Sequence, residues 1–151
     1  MSSYGENFEK GMEFQDFVML TLQKRGLYVQ IFSSKKYQYS IGESFQGIEI
    51  KLDREFMKYG RLSIEIAEKT KAENKIWVPS GIYRNDNTWL YVQGNENIFY
   101  VFMKHQLITL HKSGKFETGE SFGTIRKFYL PIERADKIGY KFLAITPAPS
   151  A

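Results

Sequence analysis

The chain has 151 residues, 42% of them apolar and 16% aromatic, which suits one globular domain with a substantial core and excludes a disordered chain. Its 21 lysines and arginines exceed its 17 acids, a net charge of +4 that permits a polyanionic partner without requiring one. With no cysteine, disulfides, cysteine zinc sites and cysteine nucleophiles are excluded, and a reducing compartment is expected. The N-terminus has no apolar signal segment and no window is long enough to span a membrane, so a soluble, cytoplasmic protein is the expectation.

Residues 1–7 are polar and read as a loose tail. Over residues 8–25, Phe14, Phe17, Val18, Thr21 and Leu22 recur at helical spacing, Lys24 and Arg25 suit the last turn, and Gly26 supplies the stop. Glu9, Glu13 and Asp16 lie on the same helix, and acids near a helix start ordinarily complement its dipole. Residues 27–32 read as the first strand, and 33–45 as a polar connection. Lys35, Lys36, Tyr37 and Tyr39 mix cations with rings in that connection. Such a mixture suits phosphate contact and base stacking, and it also suits an ordinary solvated loop.

Residues 47–70 hold two runs of period two. Ile48, Ile50 and Leu52 share one face of the first, with Glu49, Lys51 and Asp53 on the other. Leu62, Ile64 and Ile66 share one face of the second, with Ser63, Glu65, Ala67 and Lys69 on the other. The polar stretch between them ends in Gly60 and reads as a turn, so a β-hairpin is expected, with Glu49 and Glu65 close enough to share one cation. Oxygen ligands of that kind suit magnesium or manganese. The same spacing also fits plain cross-strand Glu–Lys pairing on a solvated face.

Pro79 and Gly81 interrupt regular structure after this pair, and 84–87 reads as a turn. Residues 89–92 and 98–102 read as strands, the second almost wholly apolar and therefore central. Residues 104–112 read as a short helix stopped at Gly114. His105 and His111, six apart, lie on nearly opposite faces and read as surface histidines rather than a metal pair. Residues 115–124 read as a loop, 125–131 and 141–145 as strands with a helical turn between them, and 146–151 as a loose tail.

Gly47-Ile48-Glu49, a turn, and Ile64-Glu65-Ile66 together resemble the core of the PD-(D/E)XK nuclease superfamily, in the style of Holliday-junction resolvases and restriction endonucleases, including phage-encoded ones. The resemblance covers residues 8–93. It implies an α/β fold with a restriction-endonuclease-like mixed central sheet flanked by helices, in one domain. It implies a magnesium- or manganese-dependent endonuclease that hydrolyses DNA phosphodiester bonds. Glu49, Glu65, the Ile66 carbonyl and Glu13 on the first helix would then hold the metal. The family's lysine position falls on Ala67, so Lys69 or Lys51 would stand in as the catalytic lysine. DNA is the implied partner, no membrane is, and the reading admits a homodimer. Two alternatives stay open: a nuclease fold that binds DNA without cleaving it, for which Ala67 argues, and a protein-interaction or regulatory domain.

Overall fold

A computed structural model describes residues 4–143. Helix α1 (Tyr4–Lys24) begins before the expected start, so residues 4–7 are helical rather than a loose tail. Phe14, Val18 and Leu22, four apart, form its buried stripe. Gly26 ends it at φ 87°, with its N–H bonded back to the Gln23 carbonyl. The strand expected over 27–32 does not form, and the segment makes a single bridge, Ile31 to Ser44. The reason lies in the next residues. Ser34 caps a short helix α2 (Lys35–Ser40) within the supposed loop, so the chain doubles back. Residues 43–45 then take the hydrogen bonds of Gln30 and Phe32 irregularly.

The strands in chain order are β1 (Ile48–Leu52), β2 (Arg61–Glu68), β3 (Val78–Pro79), β4 (Leu90–Gly94), β5 (Ile98–Met103), β6 (Thr118–Ser121), β7 (Ile125–Pro131) and β8 (Tyr140–Leu143). They form two four-stranded sheets. The first, in the order β1-β4-β5-β8, is mixed, since β1 runs parallel to β4 and the other pairs are antiparallel. The second, in the order β3-β2-β7-β6, is antiparallel throughout. β6 lies in the stretch expected to be a loop.

Alternation along each strand divides the core. Ile48, Ile50, Val92 and Phe99 point to one face of the first sheet and pack on α1. Tyr91, Tyr100 and Phe102 point to the other. There they meet Leu62, Ile64, Phe128 and Leu130 of the second sheet, Leu107 of helix α4 (Lys104–Lys112) and Ala135 of helix α5 (Ile132–Ile138). The α/β architecture with a mixed sheet flanked by helices is therefore present, and β5 is covered on both faces as its apolar run required.

The expected β1–β2 hairpin is absent. β1 pairs with β4, and β2 pairs with β3 and β7 in the other sheet. Residues between them form a helical turn, α3 (Phe56–Tyr59), whose Phe56 is buried in the shared core and whose end is Gly60 at φ 70°. That connection is longer than a hairpin loop and carries the chain from one sheet to the other. Asp53 replaces strand pairing at the splay: its carboxylate accepts the Ser63 N–H and the Gln93 side-chain amide, both at 2.9 Å. Gln93 also donates to the Ser63 carbonyl at 2.7 Å.

Candidate active site

Ile48 and Ile50 take the α1 side of β1, so Glu49 and Lys51 must point to the opposite face, toward the second sheet. Glu49 stands opposite Tyr91 in the parallel register and is only 2% exposed. The Lys51 ammonium lies 3.3 Å from Glu49 Oε1. Glu49 Oε2 is buried and has no hydrogen-bond partner. Burial pushes the Glu49 carboxyl up; Lys51 pulls it back in part, and the Asp86 and Glu43 carboxylates push it further up. Burial pulls Lys51 down, but Glu49 and Glu65 outweigh it and hold the ammonium above the ordinary lysine value. Lys51 thus feels both acids singled out in the sequence, although they stand in different sheets.

Tyr91 is completely buried, and its hydroxyl has no partner. Burial pushes it well above the ordinary tyrosine value, and Glu49, Glu65, Asp86 and Glu43 add to that. Four carboxylates therefore act on one buried hydroxyl. Three are tied by ion pairs: besides Lys51 on Glu49, Arg84 reaches Glu43 at 3.1 Å and Asp86 at 3.5 Å, and Lys104 reaches Asp86 at 3.1 Å.

Glu65 is half-buried, opposite Lys127 of β7, and a bulge follows it before Ala67. Its backbone is pressed by Gly81, at φ 56°, where a Cβ would come within 2.1 Å of the Glu65 carbonyl oxygen. The Ile66 carbonyl, expected as a metal ligand, accepts the Ser80 N–H at 3.2 Å. Lys69 donates to the Asn74 carbonyl at 2.7 Å and sits 4.5 Å from the Trp77 ring. It serves its own loop, and Lys51 is the lysine beside Glu49.

Glu13, expected as a metal ligand, does not face this site, and neither does Glu9 on the same helix. Both are exposed, because Phe14, Val18 and Leu22 claim the buried side of α1. His111 departs from the surface expectation as well. It is half-buried, 2.5 Å from the Tyr83 hydroxyl and packed on Phe128, while His105 is exposed.

A cleft of about 1230 Å³ opens beside Lys51. Lys35, Lys51, Arg54, Arg61 and Lys127 line it against Glu43, Asp53 and Glu55, five cations to three acids. Phe8, Phe32, Tyr59, Phe122 and Tyr129 supply rings. Of the four residues expected at a nucleic-acid surface, only Lys35 lines this cleft. Tyr37 stacks on Phe32 instead, and Tyr39 lies under the Arg84 guanidinium. Lys36 is exposed outside it. The sequence reading missed Asp53, Tyr91 and the β7 pair Lys127 and Tyr129. An acid and a lysine two apart, Glu49 and Lys51, were its available signal.

The donor chemistry suits a hard divalent cation in one respect: Glu49 Oε2 is a buried carboxylate oxygen left without a partner. Among the described residues no three acids or histidines converge into a ready-made cage. One or two carboxylates completed by water is how magnesium is commonly held. Among the described residues no helix is long and apolar enough to cross a membrane. Comparison with protein-family models, curated proteins and solved structures finds no match.

Proposed function

We propose that the chain is a metal-dependent DNA endonuclease with a restriction-endonuclease-like arrangement, in which Glu49, Lys51 and Glu65 carry the chemistry. The observation behind this reading is the buried Glu49, with one oxygen on Lys51 and the other unpartnered, next to a cation- and aromatic-lined cleft. The apolar-Glu-apolar-Lys pattern that breaks at Ala67 is complete on β1 as Ile48-Glu49-Ile50-Lys51. Lys51 therefore replaces Lys69 in the role.

Glu49 Oε2 and Glu65 would hold magnesium or manganese, which when bound lowers the pKa of a water and neutralises the phosphate under attack. Lys51 fixes Glu49 through Oε1. Its raised pKa keeps it charged at neutral pH, ready to donate to a phosphate oxygen. Asp53, Ser63 and Gln93 hold the two sheets in fixed relation behind it. Arg54, Arg61 and Lys127 grip the sugar–phosphate backbone.

A second reading, a binding module without cleavage, draws on the lack of three converging acids among the described residues. Incubation of plasmid, duplex, branched and single-stranded DNA with magnesium, manganese or EDTA separates the two. Cleavage is expected with either metal and not with EDTA. Lys51→Ala should cost about 10²–10³-fold, as for loss of one stabilising donor, and Lys69→Ala little. Salt-sensitive binding with no cleavage of any form would establish the binding module instead.

A further inference from the structure

The tip of the β6–β7 hairpin breaks a local rule. Ser121 and Ile125 close it, and the Thr124 N–H bonds to the Ser121 carbonyl at 3.1 Å. Phe122 and Gly123 are its central residues, at φ 58° and 68°. Two successive positive φ values make a mirror-image turn, whose first central position favours Asn, Asp or Gly. A bulky L residue there crowds its Cβ against the following carbonyl. Phe122 is the one residue other than glycine with positive φ among the described residues.

Burial does not compensate the ring, which is 87% exposed. Water contact and backbone strain both argue against phenylalanine at this place, yet the hairpin holds it at the cleft wall that also carries Lys127 and Tyr129. A residue kept against two costs points to a contact the isolated chain does not make.

Resting on the DNA-cleaving reading above, we infer that Phe122 is a stacking wedge, and that the substrate is DNA with an unpaired or unstacked base beside the cleaved strand. The five cations of the cleft suit the backbone of such a strand. An exposed ring on a hairpin tip can enter a base step only where stacking is already weak or broken; in a continuous duplex it must first open the step, at a cost of its own. Aromatic stacking is blind to base identity, so the selection is for structure and not for sequence.

Phe122→Asn separates function from folding, because asparagine is favoured at this turn position. The full chain is assayed in EDTA against a paired duplex and against the same duplex with a single-stranded flap. A fluorescent adenine analogue marks the first unpaired position. Phe122→Asn should raise the Tm by about 2–4 °C. It should weaken flap binding by about 5- to 150-fold and duplex binding by less than about 2-fold. Phe122→Trp should keep the flap preference, and the analogue should quench on binding wild type and not the asparagine variant. Equal loss on both DNA forms, or an unchanged flap preference, overturns the wedge. A wild type that cleaves DNA while Phe122→Asn changes nothing leaves the nuclease reading standing. A wild type that binds no DNA overturns both.

Discussion

Glu49 carries its carboxylate where burial strips its water, and Lys51 restores only part of what is lost. The carboxyl is held above its ordinary 4.5. The folded chain therefore binds this proton more tightly than the unfolded chain does. The stability linked to it is full below that ordinary value and is lost as pH rises through the folded value. Glu49→Gln should accordingly melt higher than wild type at neutral pH, with the gap closing as pH falls into the carboxylate range, while cleavage disappears. A variant that melts lower at neutral pH would mean that the Lys51 pair outweighs the burial of the charge. Tyr91 was invisible to motif reasoning because nothing in an apolar strand marks one tyrosine as the neighbour of a buried acid. Only its register opposite Glu49 does that.

Two contacts tie the elements around Glu65. The 3₁₀ turn Gly81–Tyr83 lies against β2 through Gly81 and against α4 through Tyr83 and His111. Gly81→Ala adds a Cβ at a positive φ, directly onto the Glu65 carbonyl. It should lower stability by about 1–3 kcal/mol in denaturant unfolding, and cut cleavage through displacement of Glu65. Burial holds His111 below its ordinary 6.5. The stability it contributes is present above that value and is lost as pH falls through the folded value. Thermal melts of wild type should therefore drop more steeply than those of His111→Gln from neutral pH down through the histidine range. Parallel curves would exclude His111 as the cause.

At the scale of the whole molecule, five cations line one cleft against three acids. If most of them meet phosphates, log affinity for DNA should fall with log salt at a slope on the order of −4. Charge reversal at Arg61 or Lys127 should flatten that slope and weaken binding, whereas Lys36→Ala, outside the cleft, should do neither. A salt-independent affinity would count against the cleft as the DNA surface.

Local signals were legible wherever one element decides its own form. α4 spans the residues its spacing marked, β5 and β7 arise from their apolar runs, and Gly26 stops the helix it was expected to stop, whereas Gly60 ends α3 and not a hairpin turn. Period two alone put Glu49 and Lys51 on one side of β1, and that much of the candidate site belongs to the sequence. Strand partners do not, because pairing is a contest between distant segments. Alternation in β1 and β2 said that each had an apolar face, not which core would take it. α3 and the Asp53–Ser63 bond part the two strands, and β4, which follows in the chain only after β2 and β3, fills the place beside β1. The side of α1 that meets the first sheet was likewise settled by where Phe14, Val18 and Leu22 found apolar partners, and Glu13 faces outward for that reason. Burial of apolar faces against each other is a property of the assembled chain, so the company Glu49 keeps was decided there.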